Sequence, residues 1–205
     1  MIEIKVFAGF LESGKTTGIN ESHMNIKVED LPLVILCEEG FEGIDTRFEN
    51  VIIIDSINKL SKEFFIDISE KYKGNKEIII EYNGIWKLSH LYSISLPKGF
   101  IIREVLYFVD YNTHFKYFSN LSTMLLEQIN YADTIIFTNK GRVSDKHDLD
   151  TNIFNVINEL KPGIKVMNYE EFLNGSFATK KFGPIIIFLL IIVFIAIIIK
   201  FKGVW

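Results

Sequence analysis

Short, continuous apolar runs recur along the chain and alternate with stretches of mixed polarity. Ile2 to Ala8 reads as a strand, and Lys15 to about Met24 as the helix after a glycine-bearing turn. Leu33 to Cys37 (LVILC) and Val51 to Ile54 are apolar throughout, the pattern of strands buried on both faces. Asn58 to Tyr72 has an amphipathic helical period, and Glu77 to Tyr82 (EIIIEY) reads as another buried strand. Trp86 to Phe100 shows no clear period and contains Pro97 and Gly99, so it reads as a loop. Glu104 to Val109 is strand-like, Phe115 to Tyr131 helical, and Thr134 to Thr138 (TIIFT) a strand. A helix over Asp148 to Leu160 ends near Pro162-Gly163, and Ile164 to Met167 is a last short strand. Strands alternating with helices predict an α/β fold with a mainly parallel sheet covered by helices on both faces.

The C-terminal stretch differs in kind. Phe182 to Ile199 (FGPIIIFLLIIVFIAIII) carries no charge, and about eighteen residues at about 1.5 Å each cross most of a ~30 Å hydrocarbon core. A buried core helix would show some polar face; this segment has none. Lys180 and Lys181 flank it on one side, Lys200 and Lys202 on the other, so the positive-inside rule is tied. Trp205 suits a headgroup interface. The expected organisation is a domain over 1–175, a linker over 176–182 and a transmembrane helix over 183–201. Tyr169 to Phe182 then joins domain to anchor. The first residues enter a strand at once, so no cleavable signal peptide is expected. The predicted location is the cell membrane, single-pass, with the N-terminal domain cytoplasmic.

Composition narrows the partners. A net charge of -4 over 205 residues leaves no basic surplus to neutralise phosphates, which argues against nucleic acid as a partner. Cys37 is the only cysteine, so neither an intramolecular disulfide nor a cysteine zinc cluster can form within the chain. His23, His90, His114 and His147 lack paired spacing and read as surface or helix residues rather than metal ligands.

The richest chemistry lies at the first turn. Gly9, Gly14, Lys15 and Thr16 satisfy G-x-x-x-x-G-K-[ST], between a strand and a helix, as a phosphate-binding loop requires. The backbone N–H groups around Ser13 and Gly14 would wrap a β-phosphate, Lys15 would meet β/γ oxygens, and Thr16 would hold Mg²⁺. In a parallel sheet, further functional groups collect at the carboxyl ends of the strands. After LVILC comes Glu38-Glu39-Gly40-Phe41-Glu42-Gly43-Ile44-Asp45, whose carboxylates could order Mg²⁺ or its waters in a movable turn, or be a solvated acidic loop. After EIII comes Glu81-Tyr82-Asn83-Gly84, with a carboxylate for a metal or nucleophilic water and a glycine for close approach to a γ-phosphate. After TIIFT comes Asn139-Lys140-Gly141-Arg142, placed as a base-recognition loop.

In this order the segments resemble the CobW/HypB/UreG class of P-loop GTPases, most closely its CobW-like branch. Gly9 to Thr17 match G-F-L-G-[AS]-G-K-T-T except at Glu12, and Cys37 to Asp45 mirror N-E-F-G-x-x-G-I-D. Glu81 and Gly84 fall on the E-x-x-G element, and Asp110, Gln128, Ala132-Asp133 and Asn139-Lys140 echo the later elements. The resemblance implies a GTP-dependent regulator or metallochaperone. It assigns Lys15, Thr16 and Thr17 with the loop to phosphate and Mg²⁺, and Glu38 and Asp45 to the switch and metal region. Glu81 and Gly84 take the γ-phosphate side, and Asn139 and Lys140 the base.

Several positions depart from that pattern. Glu12 replaces a glycine in the candidate nucleotide-binding loop and is expected to face outward, the alternative being that it joins the metal shell. Arg142 stands where N-K-x-D has its Asp and cannot accept the guanine hydrogen bonds, though Asp145 lies three residues on. The C-x-C-C metal motif is replaced by Ser56-Ile57-Asn58-Lys59, so zinc or another transition metal lacks its usual thiolates, and Cys37 is expected to be buried. The anchor stands where the family's C-terminal domain would begin. The expected protein is a membrane-anchored, Mg²⁺-dependent and slow GTPase serving a membrane partner such as a permease. The alternative is a nucleotide-binding regulatory subunit that does not hydrolyse, with carboxylate-based metal delivery a third possibility.

Overall fold

In the computed structural model, residues 1–38, 40, 42–111, 122–138, 155 and 157–181 are described. Seven strands form one sheet in the order β3-β2-β4-β1-β5-β6-β7. They are β1 (Ile2–Ala8), β2 (Leu33–Leu36), β3 (Val51–Ile53), β4 (Glu77–Glu81), β5 (Phe100–Asp110), β6 (Thr134–Thr138) and β7 (Lys165–Asn168). Every pairing is parallel, with β1 between β4 and β5. The helices are α1 (Lys15–Ser22), α2 (Lys62–Lys71), α3 (Leu88–Ser93), α4 (Ser122–Tyr131) and α5 (Tyr169–Lys181).

Strand side chains alternate between faces, and both faces here are apolar. Ile4, Val6, Ile35, Ile80 and Tyr107 point to the side covered by α2, α3 and α4. Phe7, Val34, Ile79 and Phe108 point to the side where Ile19 of α1 and Phe172 of α5 cover them. Phe7 stacks on Phe108 at 5.4 Å between ring centroids, and Phe172 meets Phe108 edge-on at 5.5 Å. Burial on both faces is why the strands read as unbroken apolar runs.

Four segments differ from the sequence expectation. The helix expected from Asn58 starts later, at Lys62, because Ser61 is extended and its hydroxyl accepts the Phe64 N–H at 3.2 Å; Ile57–Lys59 forms only a 3₁₀ turn. The Trp86 to Phe100 loop contains α3, whose first N–H groups, on Leu88 and Ser89, donate to the Glu127 carboxylate of α4 at 3.0 and 2.7 Å. β5 begins four residues before Glu104, at Phe100, and shifts register against β1 at Ile4/Lys5. The stretch from Tyr169, read as a connection, is the helix α5. Asn168 and Glu171 cap it reciprocally, each side chain accepting the other residue's N–H at 2.8 Å.

Among the described residues no helix is long and apolar enough to cross a membrane. The apolar segment 183–201, the base-loop residues Asn139, Lys140 and Arg142, and Asp145, His114 and His147 lie outside the described residues.

Candidate phosphate-binding site

β1 ends at Ala8 in the middle of the sheet, and the turn of Gly9 to Gly14 delivers the chain into α1. Gly9 takes a φ of 129° and lies so close to β5 that a Cβ there would fall 2.3 Å from the Phe108 carbonyl oxygen. Gly14, at φ 90°, is the helix N-cap and offers no side chain to the first turn of α1, whose N–H groups have no partner within the helix. The Ser13 carbonyl accepts the Thr138 hydroxyl from the end of β6 at 2.9 Å, fixing the turn from the far side. Glu12 is the one non-glycine residue with positive φ among those described, at 62°; it is exposed and lines the cavity described below.

Lys15 is buried and bends back over the loop. Its Nζ donates to Gly9 O at 2.8 Å and Phe10 O at 2.7 Å, and pairs with the Glu38 carboxylate beyond β2. The Thr16 hydroxyl donates to Glu81 Oε1 at 2.8 Å, and the Thr17 hydroxyl to Glu42. Gly84 N donates to Glu38 Oε2 at 3.0 Å. A Cβ on Gly84 would meet Gly9 O at 2.7 Å and Phe10 Cα at 2.8 Å, so the turn after β4 lies directly on the loop. Gln128 of α4 holds that turn, donating to Gly84 O at 3.1 Å and Trp86 O at 3.2 Å.

A cavity of about 390 Å³ opens beside these groups, lined by Leu11, Glu12 and Gly14 to Thr17 of the loop and by Glu38, Gly40, Glu42 and Glu81. Glu81 is 3 % exposed. Its burial raises the carboxyl pKa, against the opposing pull of the Thr16 hydrogen bond and the Lys15 charge. Glu81 Oε2 is buried and has no hydrogen-bond partner among the described residues. Mg²⁺ takes oxygen ligands, and an unspent carboxylate oxygen beside the Thr16 hydroxyl fits it. No group of three or more His, Cys, Asp or Glu is arranged to hold a metal among the described residues.

Asp45 stands apart from this cluster. Arg47 binds its carboxylate, with Nε and Nη2 donating to Oδ2 at 2.9 and 2.8 Å, which lowers its pKa, and Asp45 does not line the cavity. Glu42 is the acid of that run that the structure brings to the loop with Glu38. Asn20 of α1 docks the same segment, donating to Gly43 O at 3.0 Å and accepting the Asp45 N–H at 2.9 Å. Asn20 and Thr138 went unmarked in the sequence; Asn20 sits one turn after Thr17, and Thr138 closes an apolar strand. Cys37 is buried, and burial drives its thiol pKa well up, as suits a structural residue. His23, expected as a surface or helix residue, is buried at the end of α1, its Nδ1 2.9 Å from Ile19 O.

No protein-family model and no curated protein sequence matches the chain. Solved structures do. A Zn(II)-bound triple mutant of the YjiA GTPase superimposes with a TM-score of 0.60 at 17% identity, over 82% of this chain and 57% of that one. The Zn(II)-bound YjiA GTPase from E. coli gives 0.56, also at 17% identity and over the same shares of the two chains. The chain shares the α/β fold of these GTPase structures. This chain spans 57% of the length of those neighbours. In an open parallel α/β sheet ligands bind outside the carboxyl ends of the strands, where the cavity lies. A larger cleft of about 690 Å³ opens near the opposite strand ends, lined by Glu3, Lys5, Arg103, Thr134 and Lys165 among others. It contains none of the loop residues.

Proposed function

We propose that the chain is a Mg²⁺-dependent GTP-binding switch with slow hydrolysis, a regulator or metallochaperone-type protein acting on a membrane partner. The observation that carries this reading is the convergence of Lys15, Thr16 and Glu81 on one cavity, with Gly84 packed against the loop and Glu81 Oε2 buried and unspent. The structural neighbours are called GTPases, which supports GTP as the nucleotide.

Each residue has a role that its position supports. The N–H groups from Gly14 to Thr17, at the uncapped start of α1, would take phosphate oxygens. Lys15 would exchange its carbonyl and carboxylate acceptors for β/γ oxygens, and Gly84 N would add a neutral donor. Thr16 and Glu81 would hold Mg²⁺, which when bound supplies charge neutralisation between phosphoryl groups. Glu81 would also order a water at the buried floor of the cavity. Asn139 and Lys140 are assigned to the base, with guanine and adenine still to be distinguished beside Arg142.

The apolar segment 183–201 is assigned in this proposal as a single membrane span. In the same proposal the nucleotide domain, 1–175, lies on the cytoplasmic face and acts on an integral membrane protein such as a permease. Delivery of zinc or another transition metal draws no support from soft ligands, since Cys37 is buried.

A second reading, binding without hydrolysis, is favoured by the pairing of Lys15 with Glu38. Phosphate release from Mg²⁺·GTP, with Lys15→Ala as control, separates the two. Release above the control supports the GTPase. Tight binding without release supports the regulatory subunit, and the absence of both contradicts either reading.

A further inference from the structure

The Lys15 ammonium has three N–H donors to place. Gly9 O and Phe10 O accept two of them, and the ammonium is ion-paired with one oxygen of the Glu38 carboxylate. The other oxygen of that carboxylate, Oε2, accepts the Gly84 N–H at 3.0 Å. A charged donor on α1 and a neutral donor beyond β4 therefore converge on a single anionic group. The pair is dry, with side-chain exposures of 2% for Lys15 and 9% for Glu38. Stripping such an ammonium of its partner is costly, whereas exchanging one anion for another keeps it paired. A phosphoryl group, like a carboxylate, offers two oxygens to two donors on one side.

We propose that Glu38 is a resident anion in the seat of the terminal phosphoryl group, latching the empty site and setting its preference between nucleoside triphosphates and diphosphates. This rests on the nucleotide reading above. A triphosphate must take both Lys15 and Gly84 N from Glu38, while a diphosphate, whose β-phosphate meets the N–H groups at the start of α1 and at most Lys15, leaves Gly84 N on Glu38. The release of Glu38 frees one end of the loop after β2. The other end stays clamped to α1, through Glu42 on Thr17 and through Gly43 and Asp45 on Asn20. Arrival of the third phosphate is thereby converted into movement of that loop.

The test is equilibrium titration of the full chain with GTP and with GDP, in Mg²⁺, for the wild type, Glu38→Gln and Glu38→Asp. Glutamine keeps an acceptor for Gly84 N but has no charge for Lys15. Aspartate keeps the charge on an arm too short to span both donors. Opening the latch raises the competent fraction. The ratio of triphosphate to diphosphate affinity should then rise about tenfold in Glu38→Gln, and in the same direction in Glu38→Asp, which carries the test if the glutamine variant fails to fold. An unchanged or lowered ratio, with the wild type binding both nucleotides, overturns the latch and leaves the nucleotide site standing. Absence of binding by the wild type overturns both together.

Discussion

At the scale of single residues the site is held in tension by charge. Glu81 is buried with one oxygen on Thr16 and the other unspent, and its burial raises its pKa. A carboxyl with a raised folded-state pKa stabilises most when protonated; that contribution is full below the ordinary value of about 4.5 and is lost as pH rises through the folded value. Glu81→Gln keeps an acceptor for Thr16 and never ionises. Without ligand it should unfold at higher denaturant than the wild type at neutral pH, the gap closing as pH falls toward about 4. Paired denaturation curves across that range check this, and a gap independent of pH would remove the charge from the explanation. The same variant should bind Mg²⁺·nucleotide less well, since the unspent oxygen is the feature that fits the metal. Lys15 and Thr16 were legible in the sequence because a glycine-rich turn between strand and helix ties residue type to position, and Glu81 and Gly84 because they stand at or just after the carboxyl end of an apolar strand. Asp45 was misplaced for a local reason. Arg47, two residues on, captures its carboxylate, and no spacing rule announces that capture.

At the scale of elements, the loop is assembled by contacts between strand ends that no single segment encodes. The turn after β4 rests on the loop at Gly84, where an added Cβ would meet backbone at 2.7 and 2.8 Å. Gly84→Ala should therefore cost about 1–3 kcal/mol of stability, as overpacking does, and weaken nucleotide binding by displacing the loop. Denaturation and titration measured on one preparation check both, and a variant neutral in each would show that the turn can yield. Apolar strands were legible because they are buried on both faces. The late start of α2, the existence of α3 and the length of β5 were not, since a serine cap, a carboxylate from α4 and pairing with β1 decide them. α5 could have been found from the Asn168-x-x-Glu171 capping pair, overlooked beside the apolar tail that follows.

At the scale of the molecule, a parallel seven-stranded sheet with β1 at its centre places the turn after β1 among the ends of β2, β4 and β6. That topology was legible in outline from the alternation of elements, although the strand order was not. The proposed span over 183–201 makes a separate prediction. In sealed vesicles carrying the full chain with its nucleotide domain outside, protease should remove the domain and leave a protected C-terminal fragment. Digestion of both ends would show that the segment does not span. The central claim is the nucleotide site itself, and equilibrium binding of Mg²⁺·GTP to the wild type and Lys15→Ala tests it most directly. The wild type should bind, and Lys15→Ala should bind about a hundredfold more weakly, the scale of a lost charged hydrogen bond at about 2.7 kcal/mol. Equal affinities, or no binding by the wild type, would contradict it.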